Sequence, residues 1–508
     1  MADPRQRVII KVFRKYSHSL GPESLEFLEE ILERHEIPDE DAEFSIEWIA
    51  KEYNKQDDAQ MKVSLDVLQR AEAVDPDSHL HFIDAFDMPL WHWSHERSTF
   101  ERAGGPLTIS GSADSQIMAM RNRLNVIRQT VLRNDHFSPS TLPSRDRERL
   151  LTLRSTKQLL GRSKERFLLF GMLSHNKEGK LCLEDQDGSV ELDFSLLDQP
   201  SEGLFTEGCF ALVEGDYTED ATLSVIAVGH PPCESRESAR SIYGHIDFLG
   251  KGATTLLEES TQLAARVRLD IPDLHHPDTL RGLRKMFDHC MENSFIPRVM
   301  VLCGNFSRRG LLQADSREAR QFQDHLDSLA DLIAAYPLIT RTTHFVFVPG
   351  PLDIAVNSAL PRWPLMSSFV ARLKSRIPKV HFGTNPCRIK FFEQEIVIFR
   401  ENLMARMLRN LVGVKPNVHT DDLKRYLVQS VLDQSHLVPL TTSIQPILSD
   451  FDHALRLYPL PTAVVLADKY DRYQMTYEGC HVFNPGSFVG NSFTFSAYTP
   501  SRRESEEW

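Results

Sequence analysis

Two short apolar runs, each followed by a glycine turn, organise the second half of the chain. The first run covers residues 299–303 and stops at Gly304, and the second starts at His344 and stops before Gly350. Runs of this kind predict buried strands, and the amphipathic segment between them, roughly residues 317–336, predicts a crossover helix. Strand–helix–strand units build parallel sheets, whose ligands bind where strands end and loops begin. A candidate site is therefore expected at these two glycine loops.

The first 75 residues show a different pattern, with apolar positions at helical spacing in four short segments. Breaks between the segments fall at Gly21, Pro22 and Pro38, and Pro22 suits the first turn of a helix. We interpret residues 1–75 as a small, separately folding helical bundle with a structural rather than a catalytic role. The apolar positions of the four segments are Val8, Ile9, Val12, Phe13, Leu25, Leu28, Ile31, Leu32, Phe44, Ile46, Trp48, Ile49, Val63, Leu65, Val67 and Leu68.

Residues 76–157 are expected to connect this bundle to the rest of the chain. The stretch from Leu80 to Trp93 is rich in aromatic residues, which rarely stay in water, so we expect it to dock along another domain. A helix is predicted at residues 114–133, where apolar residues recur on one side.

Residues 158–235 predict five short β-strands. Apolar and polar residues alternate strictly from Val190 to Phe194, and Asp187–Gly188 is a hairpin signal before that strand. Five strands in so short a segment suit an OB-fold barrel. OB-folds often bind single-stranded nucleic acid in a basic groove, but the alternation places Glu191 and Asp193 outward. That acidity favours a protein partner over nucleic acid.

Charge limits the function further. The 508 residues carry a net charge of −13, which argues against a protein that binds DNA over its whole surface. Residues 1–75 hold 18 acidic and 10 basic residues, whereas residues 121–166 hold 12 basic and 4 acidic ones. A solvated helix face is the ordinary interpretation of the basic segment, and a DNA contact is the alternative. Any contact with DNA is expected to be weak or indirect.

The seven cysteines lie between Cys182 and Cys480 and include no Cys-x-x-Cys pair. They predict reduced core thiols in an intracellular protein, and no structural zinc site in this chain. No apolar run approaches the ~20 residues of a membrane helix, and the first residues lack the apolar core of a secretory signal. We therefore expect no cofactor and no membrane association.

The two glycine loops resemble those of metallophosphoesterases in spacing but not in ligands. That chemistry needs a bridging carboxylate with further His and Asp ligands around two divalent cations. Here the first loop carries Asn305, the second carries Leu352 before Asp353, and a third loop carries Asp468 beside Lys469. Lys469 would bring a positive charge where cations should bind. These replacements predict a vestigial pocket.

Two further positions belong to the predicted pocket. Asp270 takes the place of the first Asp-x-His motif of that family, while His275 and His276 come a few residues too late to replace its His. His436 matches the isolated His of the pattern, although a lone His is more often a hydrogen-bonded structural residue. The predicted vestigial pocket therefore comprises Asp270, Asn305, Asp353, His436 and Asp468, with no catalytic and no metal-binding role assigned to them.

The loops resemble the second, or B, subunits of the eukaryotic replicative DNA polymerases, in which an inactivated phosphoesterase domain follows an OB-fold. The resemblance is closest to the epsilon branch of that family and is strong from about residue 160 onward. The motifs that carry it are Leu302–Ser307, Phe347–Pro351, Thr384–Ile389, Ala467–Asp471 and Asn484–Phe488.

This resemblance implies a multidomain α+β fold. The expected domains are a helical domain at residues 1–75 similar to the lid of AAA+ ATPases, the connector at 76–157, an OB-fold at 158–235, and an inactive calcineurin-like phosphoesterase α/β sandwich at 241–508. We expect the last domain to begin with a strand at Tyr243–Phe248, after a polar linker.

The resemblance also implies a function, that of a nuclear, non-catalytic scaffold subunit of the DNA polymerase epsilon complex in DNA replication. Its partner would be the zinc-bearing C-terminal region of the catalytic subunit, with other replisome proteins as further partners. Two alternatives stay open: an active metallophosphoesterase with unusual ligands, for which the acids Asp270, Asp353, Asp468 and Asp471 are still present, and a B subunit of polymerase alpha or delta.

Overall fold

The computed structural model describes residues 4–34, 46–47, 49–50, 53, 61–65, 68, 79–137, 152–197, 202–252, 267–270, 278–293, 296–307, 316–353, 358–413, 420–490, 493–500 and 502–508. The chain divides into two compact units. The first contains Met1–His81, Leu257–Ala264 and Phe391–Glu393, and the second contains the remaining residues.

Amphipathic helices build the described part of the first unit. Helix α1 spans Pro4–Lys15 and helix α2 spans Pro22–Arg34. Pro22 stands at the first position of α2, where its missing N–H leaves no hydrogen bond unmade. Phe44, Trp48 and Val67 lie outside the described residues. The buried core uses other apolar positions named above, namely Ile9, Val12, Phe13, Leu28, Ile31, Leu32, Ile46, Ile49, Val63 and Leu68.

The second unit begins with an aromatic stretch that packs against later parts of the chain. This part of the chain contains strand β1 (Leu80–Asp84), whose first two residues belong to the first unit, and the hairpin of β2 (Trp91–Ser94) and β3 (Thr99–Arg102). The ring of Phe82 stacks on His381 with 4.0 Å between centroids, and Phe86 stacks on Trp363 at the same distance. These contacts confirm that the stretch docks. The predicted helix is also confirmed as α3 (Ala113–Arg133).

The next segment forms a six-stranded sheet. All five predicted strands are confirmed, and in β7 Val190 and Leu192 are buried while Asp193 is exposed. The order is β4–β5–β6–β7–β9–β8, and β8 also pairs with β5. The strands are β4 (Leu153–Arg154), β5 (Arg166–His175), β6 (Leu181–Glu184), β7 (Ser189–Asp193), β8 (Phe210–Tyr217) and β9 (Thr222–Gly229).

Two mixed six-stranded sheets make up most of the remaining chain. In the first, the order is β13–β12–β11–β10–β19–β20, and β10 to β13 run parallel. In the second, the order is β1–β14–β15–β16–β18–β17, and β15, β16 and β18 run parallel. The strands are β10 (Val267–Asp270), β11 (Val299–Cys303), β12 (His344–Val348), β13 (Val380–Phe382), β14 (Cys387–Phe391), β15 (Gln394–Arg400), β16 (Ala463–Ala467), β17 (Tyr473–Tyr477), β18 (Cys480–Asn484), β19 (Ser496–Thr499) and β20 (Glu504–Glu507).

Helices cover these two sheets and give each its own apolar core. Strands β11, β12 and β16 are buried at every position, as expected for parallel strands covered on both faces. The helices are α4 (Arg236–Tyr243), α5 (Thr279–Glu292), α6 (Ser316–Ala334), α7 (Pro337–Thr342), α8 (Ala371–Arg376), α9 (Leu403–Arg409) and α10 (Thr420–Asp433). None of the described helices is both long and apolar enough to span a bilayer.

The strand predicted at Tyr243–Phe248 is wrong. Tyr243 is the last residue of α4, and turns follow it. The segment that looks like a polar linker forms this helix because Ser235 caps it, accepting a hydrogen bond from the N–H of Ser238 at 3.3 Å. Arg236, Ala239 and Tyr243 then lie on one buried face at helical spacing.

Candidate functional site

The candidate site is the place where the loops after β11, β12, β15 and β16 meet. All four strands are parallel members of the two mixed sheets, so their carboxyl ends present loops at one edge of each sheet. The loop after β11 holds Asn305, the loop after β12 holds Asp353, and the loop after β16 holds Asp468. Three of the five predicted pocket residues therefore lie at these strand ends.

Asp353 is buried and uses both carboxylate oxygens within the protein. Its Oδ1 accepts hydrogen bonds from the N–H groups of Phe306 at 2.5 Å and Ser307 at 2.8 Å, and its Oδ2 accepts one from Gly350 at 2.8 Å. Burial raises the pKa of the Asp353 carboxyl to about 6, against the opposing effect of these three bonds. The carboxylate thus ties the first loop to the second.

Asn305 also connects these two loops, this time with a side chain of the first loop and a backbone N–H of the second. Its Oδ1 accepts a hydrogen bond from the N–H of Leu352 at 2.8 Å, and the residue is only 8% exposed. The backbones of the two loops are equally close. A Cβ atom at Gly304 would lie 1.8 Å from Oδ2 of Asp353, and one at Gly350 would lie 2.4 Å from Oδ1 of Asn305. Glycine is required at both positions because the loops leave no room for a side chain.

Arg400, at the end of β15, supplies the positive charge of the site. It is fully buried. Its Nε donates to the carbonyl of Gly304, and its Nη1 donates to the carbonyl of Ala467 at 3.0 Å and to Oδ1 of Asn402 at 3.1 Å. Arg400 therefore links the first loop to the fourth. Burial lowers the pKa of its guanidinium, while the carboxylates of Glu401, Asp468 and Asp353 oppose that effect.

Asp468, in the loop after β16, is buried against the first turn of α9. One carboxylate oxygen accepts from the N–H of Met404 at 2.9 Å and the other from the N–H of Tyr470 at 3.2 Å. Burial raises the pKa of Asp468, and the bond from Met404 opposes the rise. Lys469, expected to bring a positive charge into this place, is exposed. The cation among the loops is Arg400 instead, because the Lys469 side chain can stay hydrated at the surface.

A buried ion pair lies next to Arg400. Nη2 of Arg362 and Oε2 of Glu401 are 2.6 Å apart, with side chains 3% and 1% exposed. Nη2 of Arg406 lies 3.3 Å from the other Glu401 oxygen. Burial disfavours ionisation of Glu401, yet the two arginines hold its pKa below the usual value. Charge at the site is thus balanced by pairs of protein side chains.

His436 lies in a different network. Its Nδ1 accepts from the N–H of Val438 at 3.0 Å, and its Nε2 lies 3.5 Å from Oδ1 of Asp452. Asp452 is also bound by Arg123 of α3. Burial lowers the pKa of His436, and the positive charge of Arg123 lowers it further. The sequence pattern predicted His436 in the vestigial pocket, whereas its side chain contacts Val438 and Asp452 instead.

Asp270 is the last residue of β10, opposite Leu302 of β11. The side chain of Asp270 lies outside the described part of the structure, as do His275 and His276. Among the described residues, no group of three or more His, Cys, Asp or Glu side chains is arranged to hold a metal ion.

The sheet of β4 to β9 is joined to the rest of the second unit by side chains of α10 and the loop after it. The amide of Gln434 pairs with the backbone of Phe210, accepting from its N–H at 2.6 Å and donating to its carbonyl at 2.7 Å. His230 stacks on Phe205 with 4.2 Å between ring centroids, and its Nε2 lies 3.1 Å from Oγ of Ser430. Burial lowers the pKa of His230 to about 3, so the ring is neutral.

No pattern in the sequence predicted Arg400, the Arg362–Glu401 pair or the Arg123–Asp452 pair. An arginine at a strand end has no sequence signal that separates a buried guanidinium from a solvated one. The motif Thr384–Ile389 did point to one part of the site, since Oδ1 of Asn385 accepts from the N–H of Arg400 at 3.0 Å and its amide donates back to the Arg400 carbonyl.

Comparison with known families identifies the class of protein. Residues 113–232 match the family model described as DNA polymerase epsilon subunit 2-like, OB-fold domain, and residues 271–475 match the model for the B subunit of DNA polymerases alpha and epsilon. The two segments thus match the class of DNA polymerase B subunits that carry an OB-fold domain.

Relatives that align over nearly the whole length of this chain show which polymerase the B subunit belongs to. The chain is 33% identical to DNA polymerase epsilon subunit 2 of Bos taurus, over 98% of this chain and 97% of that protein. It is equally identical to the protein of the same name from Homo sapiens, with the same coverage. The chain therefore belongs to the DNA polymerase epsilon subunit 2 family, as the loop motifs predicted, and a B subunit of polymerase alpha or delta is not favoured.

A solved structure described as a novel archaeal phosphodiesterase covers 48% of this chain and 98% of its own, with 10% identity and a TM-score of 0.25. So low a score adds nothing to the functional argument.

Proposed function

We propose that this chain is the non-catalytic accessory subunit of a DNA polymerase epsilon assembly, acting in the nucleus as a scaffold. Relatives with that name align over nearly its full length. The observation that carries the proposal is the occupation of the four-loop site by Arg400, which links the carbonyls of Gly304 and Ala467. A buried guanidinium at the meeting point of these loops supports a structural use of the site.

The donor set does not fit the two-cation centre of a metallophosphoesterase. Such a centre needs carboxylate and imidazole groups that are free to bind metal. Both oxygens of Asp353 accept backbone N–H groups, and so do both oxygens of Asp468. Asn305 is neutral and its oxygen accepts from Leu352. We infer that the loops are a degenerate phosphoesterase site, and no chemical step is assigned to them.

The domain boundaries predicted from the sequence are retained in this proposal. Residues 1–75 would be a helical bundle, 76–157 a connector, 158–235 an OB-fold barrel and 241–508 a phosphoesterase-like α/β sandwich. The additional pairing of β8 with β5 supports a closed barrel. The two mixed sheets, each with its own helices and core, support the sandwich.

The proposed partner is the C-terminal region of the polymerase catalytic chain, and the second compact unit would be its platform. A groove of about 400 Å³ lies between α3 and the sheet of β4 to β9. Ile117 lines the groove and is 49% exposed. Phe210 and Met172 form its apolar wall, while Glu184 and Asp185 outnumber Arg121 and leave one negative charge in excess. Apolar surface beside carboxylates suits a helix that is apolar on one face and basic at its edges.

The proposal is tested by co-purification of the full chain with the C-terminal region of an epsilon catalytic subunit. We expect a stable complex with wild type and with the control Leu338→Asp, whose side chain in α7 is 47% exposed. Ile117→Asp should weaken the complex about tenfold or more, since a buried charge at an interface core is costly.

Each negative result has its own meaning. Failure of the wild-type chain to retain the epsilon region would overturn the partner. Equal binding by Ile117→Asp and Leu338→Asp would leave the partner in place and reject the groove. Equal retention of the corresponding region of an alpha catalytic chain would reject specificity for epsilon.

A further inference from the structure

A second groove lies along the C-terminal half of α3, beyond the groove around Ile117. Its volume is about 440 Å³, and its walls are α3, the β2–β3 hairpin and the end of α4. Gln186 lines both grooves and donates from Nε2 to Oδ1 of Asn125 at 2.9 Å, so this hydrogen bond marks their boundary. We call the second space the α3–α4 groove.

Three apolar side chains converge on the α3–α4 groove. Leu132 of α3 and Ile242 of α4 both line it, and each is 42% exposed. Trp93 of β2 lines it as well and is half-buried. A single exposed apolar residue is ordinary on a protein surface, whereas three that meet in one concave site indicate a binding surface.

Hydrogen bonds and ring contacts hold the walls of the groove in place. Oδ1 of Asn122 accepts from the N–H of Trp93 at 3.1 Å, and its amide donates to the carbonyl of Trp91 at 3.2 Å, which fixes α3 against the hairpin. The ring of Trp93 packs edge-on against Phe100, with 5.3 Å between centroids, and against Tyr243 at 6.1 Å. Because the walls are already fixed, binding here would require little ordering of this chain.

The two arginines that line the α3–α4 groove differ in their partners. Arg133 is neutralised, because its Nη2 donates to both carboxylate oxygens of Glu234 at 2.8 Å, and it also donates to the hydroxyl of Tyr458 at 3.0 Å. Arg128 is exposed, and its guanidinium forms no ion pair or hydrogen bond with the described residues. The described lining also contains His95 but no carboxylate. Arg128 therefore leaves one positive charge in excess among the lining residues.

We propose that the α3–α4 groove binds a short protein segment that is apolar on one face and carries a carboxylate at its edge. The apolar face covers Leu132, Ile242 and Trp93, and the carboxylate pairs with Arg128. Tryptophan and arginine are among the residues that contribute most to binding at protein interfaces. The excess charge here is opposite to that of the groove around Ile117, so the two grooves select different segments. This inference does not depend on the partner proposed for the groove around Ile117.

Single-stranded nucleic acid fits the α3–α4 groove less well. Such sites combine several basic side chains along the phosphate backbone with aromatic rings on which bases stack. Among the described lining residues, Arg128 is the one exposed arginine, and the ring of Trp93 is already packed against Phe100 and Tyr243. The exposed aliphatic side chains beside them favour a protein segment.

The test is the binding of two fluorescent helical peptides of about 20 residues to the full chain, measured by anisotropy. One peptide has leucine on its apolar face and glutamate at the edges, and the other has lysine in place of each glutamate. We expect saturable binding of the glutamate peptide. Arg128→Glu and Leu132→Asp should each weaken it about tenfold or more, because each places a negative charge against the peptide. Arg341→Glu and Leu338→Asp, at exposed positions in α7, are the matched controls and should bind it as the wild type does.

Ile117→Asp separates the two grooves, since it should leave binding of the glutamate peptide unchanged. In that background, Arg128→Glu should reverse the preference from the glutamate peptide to the lysine peptide, which a merely damaged fold would not do. Weaker binding of the glutamate peptide in Ile117→Asp would overturn the assignment to the α3–α4 groove.

Two further results would overturn the proposal. One is the absence of saturable binding by the glutamate peptide, or an equal loss of binding in Leu132→Asp and Leu338→Asp. The other is binding of a single-stranded thymidine oligonucleotide instead of the peptide, weakened by Arg128→Glu but not by Arg341→Glu. That result would replace the protein segment with nucleic acid as the occupant.

Discussion

The guanidinium of Arg123 binds the carboxylate of Asp452 through two hydrogen bonds, one of them 2.9 Å between Nε and Oδ2. The two side chains are 7% and 10% exposed. Arg123 belongs to α3, which lies within the segment matched to the OB-fold domain, and Asp452 belongs to the segment matched to the polymerase B-subunit family. A buried ion pair therefore fastens the two family segments together.

Removal of one partner of this pair should be strongly destabilising. We expect Asp452→Ala to lower the free energy of unfolding by about 3–5 kcal/mol, because Arg123 would remain buried without its counter-charge. The matched control is Asp331→Ala, which breaks an ion pair with Arg372 whose side chains are 46% and 42% exposed. That variant should lose less than about 1 kcal/mol. Equal shifts of the urea midpoint in both variants would contradict the prediction.

Close packing of the two glycine loops leads to a second prediction. Gly304→Ala should cost about 3 kcal/mol or more, since the new methyl group would overlap the carboxylate of Asp353. Gly229→Ala is the control, because a Cβ there meets nothing within 4 Å and its φ is not in the left-handed region. We expect that control to stay within about 1 kcal/mol of the wild type. A melting temperature that is lower for Gly229→Ala than for Gly304→Ala would contradict the prediction and would show that the two loops can move apart.

The buried imidazole of His230 should make stability depend on pH. Its pKa is about 3 in the folded protein and 6.5 when unperturbed, so the unfolded chain binds more protons between these values. Its contribution is fully present above pH 6.5 and is lost as pH falls, by up to about 1.4 kcal/mol per unit. We expect His230→Gln to lose less stability than wild type between pH 7 and 5.

His245→Gln, at an exposed position, is the matched control for this pH experiment. Its stability should fall with pH as steeply as that of the wild type. If the free energy of unfolding depends on pH equally in the wild type and in His230→Gln, then His230 has the same pKa in the folded and unfolded states.

Phosphodiester hydrolysis should be absent from the purified chain. Assayed with Mn²⁺ and a generic phosphodiester, it should show no turnover above buffer, because the oxygens of Asp353 and Asp468 are committed to backbone N–H groups. Turnover that disappears in Asp353→Ala but persists in Asp331→Ala would revive an active metallophosphoesterase.

The N-terminal segment of the first compact unit should fold without the remainder of the chain. A fragment of residues 1–81 is expected to show a helical circular dichroism spectrum and cooperative melting, since its apolar side chains form a core of their own. Phe13→Ala should cost about 3–5 kcal/mol there, because the ring is fully buried. A featureless spectrum from the wild-type fragment would count against an autonomous domain.

Regular periodicity made much of the fold predictable from the sequence. The strand at residues 299–303, the strand that starts at His344 and the helix of α3 follow directly from apolar spacing, and so does the core around Phe13 and Leu28. Helix α4 escaped prediction because its sequence is mostly polar and only Ala239 and Tyr243 mark its apolar side. The family motifs located Asn305, Asp353 and Asp468, but position in the sequence could not show that Arg400 supplies the charge between them.

The commitment of Asp353 and Asp468 to backbone N–H groups restricts how this chain can evolve. A substitution such as Asn305→Asp would add a buried negative charge before any cation could bind there. Replacing Arg400 first would leave Asp353 without its nearby positive charge and the Gly304 carbonyl without its donor. We expect each of these single steps toward a metal centre to lower stability before it brings any activity, so the order of mutations as well as the structural role would keep the loops in their present state.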